Sequence, residues 1–425
     1  MINTAMRLRH RPRASLVNAA VAIPVLLTGC ARSIQPPVTL FIAYGIGDTS
    51  FSKATKTRIE SRIDEFTANF KRSNPEVQVV LSAYKSGRLQ QEISDDSKLN
   101  LGPDLIISTE SIIKGLYNKG LAEALPDRID WDQTYDPLLK EIASNDGQYI
   151  AAPFLTFTQV ACYNKTTVPN PPQTIQELEK LTASGTRVGL SLEPIMLLWT
   201  AGSLGAIKEI STLGLNQGKS TERKAIRSWL AWLRKAAFYQ NISFFKSYLR
   251  KDASLMNNEL DWISCEAGEI EKIRNKMGNN LGVSALPNGA QTTAFPWPYF
   301  ISFGLGLNSS PKQRDAAIKY IQSSTNVIVQ RQLMLRNADF LPTNKHVSIP
   351  ISSSGTLQAL NTSFNQQVRG YTEEWPGVLR FLAGQKNHPN RYQEVTSAIA
   401  ELTSGYLKVD QALDILSRSH RVSKP

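Results

Sequence analysis

Ala201-Gly202-Ser203-Leu204-Gly205 is the segment of this 425-residue chain whose residue types come nearest to covalent chemistry. A serine framed by small residues resembles a nucleophile elbow, here with alanine in place of the first glycine. Such a serine needs a histidine base and an oxyanion hole. Beyond residue 30 the histidines are His346, His388 and His420, and no neighbourhood nominates any of them. Neither H-E-x-x-H nor C-x-x-C occurs, so no catalytic zinc and no other metal or cofactor is expected. Glycoside hydrolysis requires two carboxylates at a set separation, and nothing marks such a pair. The Gly-x-Gly of Tyr44-Gly45-Ile46-Gly47-Asp48 lacks the third glycine of a dinucleotide loop. What that turn does offer is a carboxylate, Asp48, able to accept hydrogen bonds from hydroxyl groups.

The elements that position these residues begin behind an N-terminal leader. Arg7, Arg9, Arg11 and Arg13 precede an apolar stretch, 16–27, that ends in Leu27-Thr28-Gly29-Cys30. This resembles a bacterial lipoprotein signal with its lipobox. The apolar stretch is shorter than the roughly 20 residues that span a bilayer. The resemblance implies that residues 1–29 are removed, that Cys30 is acylated, and that 30–37 form a tether on the outer side of the membrane. Removing the four arginines of 1–29, which hold no acidic residue, leaves +8 of the chain's net +12. Lysines and arginines are scattered, without long runs or interleaved aromatics, which argues against nucleic acid. The size calls for two domains. Cys162 and Cys265 are close enough to nothing in sequence to fix their state; a disulfide is open to them outside the cytoplasm, and two separate buried thiols are the expectation.

Val38 to Tyr44 reads as a buried strand, Lys53 to Phe70 as an amphipathic helix, Val77 to Leu81 as a second strand and Pro103 to Ser108 as a third. A helix follows from Glu110 and stops at Gly120. Further strands are expected at Val188 to Leu192 and Ile301 to Leu307, and helices at Ala225 to Tyr239 and after Ser309-Ser310-Pro311. The C-terminal third is expected to be mostly helical. The alternation predicts an α/β fold with mainly parallel sheets.

Tyr149-Ile150-Ala151-Ala152-Pro153, Tyr163-Asn164-Lys165 and Pro169-Asn170-Pro171-Pro172-Gln173-Thr174 resemble, in order and spacing, the extracellular solute-binding proteins of ABC importers, in the group that includes maltose-binding protein. Pro103 to Ser108, Ala285-Leu286-Pro287 and Leu341-Pro342-Thr343 support the likeness, so that it reaches across most of 38–345. Without the resemblance, the proline-rich run is a loop and Thr174 a helix cap. The resemblance implies a two-lobed periplasmic-binding-protein fold, type II-like, with a ligand cleft between lobes joined by a multi-segment hinge. Lobe 1 is expected over 38–153 and 292–330, and lobe 2 over 154–291 and 331–425. The implied function is capture of a solute by hinge closure and its delivery to an ABC permease, by a monomer with no bond chemistry. A secreted serine hydrolase using Ser203, and an envelope lipoprotein that keeps the fold without a ligand, are the alternatives.

The resemblance directs attention to particular loops. Tyr44 and Asp48 follow the first strand; Thr109 and Glu110 stand at a helix N-terminus, where Thr109 or Ser111 could equally be a cap. Thr156 replaces a glutamate kept by some sugar-binding relatives, beside Phe154 and Phe157. Glu193-Pro194 with Trp199 resembles a run that supplies an acidic acceptor and rings against sugar faces, although Trp199 is weighed against core packing. Trp262, Trp297 with Tyr299, and Trp375 complete the candidates, while Trp229 and Trp232 are read as core. A pyranose has an apolar C–H face that suits aromatic rings, and a hydroxyl rim that suits carboxylates. A small sugar or glycosyl-polyol is therefore the expected ligand.

Overall fold

The computed structural model describes residues 37–45, 53–84, 88–215, 223–238, 241–371, 373–383 and 390–418. The leader, Cys30 and Asp48 lie outside the described residues. The strands in chain order are β1 (Val38–Tyr44), β2 (Val77–Ala83), β3 (Leu105–Thr109), β4 (Ala122–Glu123), β5 (Ser144–Asn145), β6 (Gln148–Tyr149) and β7 (Ala152–Phe157). They continue with β8 (Gln159–Asn164), β9 (Val188–Ser191), β10 (Ile242–Phe245), β11 (Trp262–Glu266), β12 (Leu281–Ser284), β13 (Tyr299–Gly306) and β14 (Leu341–Pro342).

Two mixed sheets result. The first has the order β14-β7-β13-β3-β1-β2, with β4 also on β13, and the second has the order β10-β9-β11-β8-β12. In the first sheet β2, β1 and β3 are parallel, built by strand-helix-strand units, whereas β13 and β7 run antiparallel to their neighbours. The second sheet repeats this: β10, β9 and β11 are parallel, and β8 and β12 are antiparallel. The expectation of mainly parallel sheets is thus corrected, because strands that arrive from the other sheet enter from the opposite end.

The chain crosses between the sheets three times. The first crossing is Thr158, the single residue between β7 and β8; the second is 285–298, and the third follows β14. Helices Gly355–Tyr371, Arg391–Thr403 and Val409–Ser417 pack on the second sheet or its helix Lys224–Ala237. The boundary expected at 153/154 is therefore displaced to Thr158, since β7 pairs with β13 of the first sheet from Ala152 to Phe157, with an irregularity at Phe154. The boundary expected at 330/331 likewise falls short, because β14 pairs with β7.

Local sequence explains the element ends. Thr174 and Glu177 form a reciprocal capping box at helix Ile175–Ala183, and Ser310 with Gln313 does the same at Pro311–Ser324. Gly120, at φ +68°, follows helix Glu110–Asn118 where a left-handed residue must turn the chain toward β4. Cys162 and Cys265 are bonded, with Cα atoms 5.8 Å apart. They lie on adjacent strands β8 and β11, paired antiparallel, which corrects the expectation of two free thiols.

Candidate functional site

The carboxyl ends of the parallel strands in both sheets point toward the crossings. On the first sheet, Tyr44 ends β1 and Thr109 ends β3, with Tyr44 in register with Ile107. Gly45 N–H donates to Ile107 O at 3.1 Å and Ser108 Oγ donates to Gly45 O at 2.5 Å, so the end of β1 is fixed beside the end of β3. Tyr44 is almost fully buried, and burial with the nearby Glu60 and Asp64 pushes its phenol up to about 12. Thr109 and Glu110 are half-buried. Thr109 Oγ1 meets Ser111 Oγ at 3.1 Å and caps no backbone N–H, while the Glu110 carboxyl accepts from its own and the Ser111 backbone N–H. Desolvation raises the Glu110 carboxyl above its ordinary range.

On the second sheet the corresponding ends are Ser191, Phe245 and Glu266. Half-buried Glu193 precedes helix Pro194–Ser203, its carboxyl raised by burial and drawn back by Lys251. Beneath it lies a group that the sequence did not announce: Lys251, Asp252, Glu266 and Glu269 are each no more than 1% exposed. Lys251 Nζ donates to Ser264 O. Burial pushes Asp252 up to about 6 and Glu266 up to about 8, with Lys251 opposing both shifts. Arg250-Lys251-Asp252 in sequence looks like any solvated helix turn, and only the tertiary fold turns part of it inward.

Between the two sets of strand ends stand the crossings themselves. Phe157 and Tyr299 stack with ring centroids 5.0 Å apart and planes 3° from parallel, and Trp297 leans on Tyr299 at 5.6 Å. Trp297 is half-buried, the one expected ring platform with a face left partly open. Across the same region, Arg58 and Arg62 of helix Lys53–Ser73 reach Glu271 of the second body.

Several expected contacts belong to the core instead. Phe154 packs on Phe303 at 5.0 Å, and Thr156 is buried in β7 between Phe300 and Leu341. Trp199 and Trp262 are fully buried and 6.1 Å apart. Trp262 also starts β11, opposite Val188 at the start of β9, so it sits at the far end of the sheet from Glu193. Trp375 is buried against Phe295 at 5.8 Å. Each large apolar ring satisfied a packing demand that outweighs exposure to solvent. Trp229 and Trp232 are buried as well.

Ser203 is not a nucleophile. It ends a helix rather than beginning one, and its Oγ lies 2.9 Å from Trp199 O and 2.7 Å from Pro287 O, both acceptors. Among the described residues, neither hydrogen-bond partner of its Oγ is a base that could take its proton. Among the described residues no group of three or more His, Cys, Asp or Glu side chains could hold a metal ion, and no helix is long and apolar enough to cross a membrane.

Residues 62–359 match the bacterial extracellular solute-binding protein family. The chain belongs to that family. Membership places this solute-binding protein outside the cytoplasm, among binding proteins rather than enzymes. Its fold is similar to the GacH receptor of Streptomyces glaucescens GLA.O, with a TM-score of 0.70 at 15% identity over 90% of this chain and 98% of that one. It is also similar to the maltodextrin-binding protein MalE1 of L. casei BL23, at 0.67 and 15% over 90% and 98%. A solute-binding protein of Thermotoga lettingae TMO solved with α-D-tagatose gives 0.67 and 14% over 89% and 98%. In sequence, 82 residues are 35% identical to the maltotriose-binding protein of Pyrococcus abyssi (strain GE5 / Orsay), a stretch that spans 19% of this chain and 18% of that relative. These likenesses support the two-lobed α/β fold.

Proposed function

We propose that this solute-binding protein captures a small sugar, an oligosaccharide or a glycosyl-polyol outside the cytoplasmic membrane and hands it to an ABC permease. The observation that carries the reading is the meeting of two sets of parallel-strand ends across three crossings, which is where open α/β sheets take ligands. Thr109 and Glu110 supply hydroxyl and carboxylate partners from the first lobe, and Asp48 is a further candidate acceptor by its residue type alone. Glu193 supplies an acceptor from the second, and Trp297 offers its ring to a sugar face. The buried Phe157–Tyr299 stack supports Trp297 from within.

Capture works by hinge rotation about the crossings, and a ligand shifts the lobes toward closure only as far as it binds the closed form better. The protein acts as a monomer, held to the membrane by acylated Cys30. Sugar ligands are favoured by what the similar proteins are named for binding: maltotriose, maltodextrin, acarbose and tagatose.

The test is thermal unfolding of residues 31–425 with maltose, maltotriose, acarbose, D-tagatose, glucosylglycerol, glycerol 3-phosphate and spermidine. A ligand at about 100 times its dissociation constant stabilises the fold by about 2.7 kcal/mol. A saturable rise with one chemical class identifies the substrate class. A rise only with spermidine or glycerol 3-phosphate overturns the sugar reading, and no rise with any of them favours an envelope lipoprotein without a ligand.

A further inference from the structure

Arg58 and Arg62 stand one turn apart on helix Lys53–Ser73, which packs on the first sheet through β2. Both guanidinium groups bind Asp339, whose carboxylate is fully buried just before β14: Arg58 Nη2 at 3.1 Å and Arg62 Nη2 at 3.3 Å. Asp339 belongs to the same lobe as the arginines, since β14 pairs with β7. The face of Phe340 lies under Arg62 at 5.7 Å. Two long, flexible side chains are therefore held in one orientation by their own lobe.

What they are aimed at is the other lobe. Arg58 Nε lies 3.1 Å from Glu271 Oε2, and Arg62 Nη2 lies 3.2 Å from the same oxygen. Arg58 Nη2 also donates to Gly268 O at 2.5 Å. Gly268 and Glu271 follow β11, at the strand end that faces the groove. We propose that Arg58 and Arg62 form a pre-aimed clasp, with Glu271 and the Gly268 carbonyl as its catch, that is made when the lobes close and so sets the balance between open and closed forms.

The asymmetry of the arrangement supports this role. When the lobes part, Glu271, whose side chain is 34% exposed here, passes into water, while both arginines keep Asp339. Opening thus leaves no unpaired buried charge and costs only the contacts across the gap. Partly exposed ion pairs contribute modestly, which suits a device that must release. A clasp that closed the lobes too firmly would lock out the ligand, and one that was absent would lower apparent affinity by the fraction of closed form lost.

The proposal rests on the hinge-closure reading above, and its test needs no ligand. Spin labels at Gln91→Cys and Lys246→Cys, exposed sites beside the groove ends of the first and second sheets, report the distance between lobes by double electron-electron resonance in residues 31–425. Glu271→Gln is expected to lengthen the main distance, raising the open-to-closed ratio about threefold to tenfold, with unfolding temperature almost unchanged. Raising NaCl from about 0.02 M to about 0.5 M shortens the screening length from about 20 Å to about 4 Å and is expected to open the parent but not the variant. An unchanged distance in folded Glu271→Gln, or an equal salt response in both, overturns the clasp. Should Glu271→Gln fail to fold, the parent's salt response decides: a distance independent of salt overturns it. A clasp that responds in a chain binding none of the sugars would stand while the sugar reading falls.

Discussion

The backbone N–H of Trp297 donates to Gln159 Oε1 at 3.0 Å, tying the second crossing between the lobes to the first residue beyond the first crossing. The other end of the Gln159 amide donates to Glu266 Oε1 and to Met196 O, each at 3.3 Å. One buried side chain thus fixes the posture of Trp297, the half-buried ring proposed to meet the solute, against the buried carboxyl group of Glu266.

Gln159→Leu removes the acceptor of Trp297 N–H and a donor to Glu266 at once. An unsatisfied buried polar group costs about 1–3 kcal/mol. The variant is expected to unfold several degrees lower and to bind solute more weakly through a faster off-rate, because Trp297 loses its fixed presentation. Calorimetry and surface plasmon resonance measure both; an unaltered off-rate would show that the stitch is structural only.

Glu266→Gln is expected to flatten the pH dependence of stability. The folded carboxyl titrates near 8 against an ordinary 4.5, chiefly through desolvation. A raised folded value means that stability is full below 4.5 and falls as pH rises toward 8, by about 1.4 kcal/mol per unit, since the unfolded chain gives up a proton that the folded chain retains. Asp252, shifted from 3.8 to about 6, adds a smaller loss over its own lower range. Melting curves from pH 5 to 8.5 should therefore show parent and variant converging at the acid end and the parent falling below the variant at the alkaline end. Parallel curves would mean that Glu266 is ionised in the fold.

The fold was legible where local pattern and tertiary demand agree. β1 to β3, the capping boxes at Thr174 and Ser310 and the turn at Gly120 follow from residue types a few positions apart. Strand direction was not legible, because a strand returning from the other lobe has the same apolar run as one that stays. The ring platforms failed for a related reason: an indole is equally suited to a sugar face and to a core, and only register shows that Trp262 lies at the wrong end of β11. The Gln159 stitch joins residues 107 and 138 positions apart, and the clasp joins residues 209 and more apart, separations at which polar residues in one sequence carry no mark of their partners.

Trp297→Ala and Trp262→Ala separate the groove from the core. Trp262 is fully buried, and truncating a buried tryptophan costs about 3–5 kcal/mol. Half-buried Trp297 should cost far less stability but most of the solute affinity. Thermal unfolding with and without the ligand found in the solute screen checks the pair, and a Trp297→Ala variant that keeps full affinity would remove the ring from the groove's chemistry.

The Cys162–Cys265 bond closes a loop of 103 residues across neighbouring strands at the centre of the second sheet. In the chain-entropy account a loop of that length restricts the unfolded ensemble by about 4–5 kcal/mol. Both strands also carry the crossing and the groove: β8 begins at Gln159 and β11 ends at Glu266, so the bond holds the two sides of the stitch in register. The double variant Cys162→Ala, Cys265→Ala is expected to lose several kcal/mol in denaturant unfolding, with its midpoint insensitive to dithiothreitol, whereas the parent's midpoint should fall to meet it on reduction. If the parent ignored reductant while unfolding reversibly, the two sulfurs would not be joined in solution, and the register of β8 on β11 would have to stand on its hydrogen bonds and packing alone.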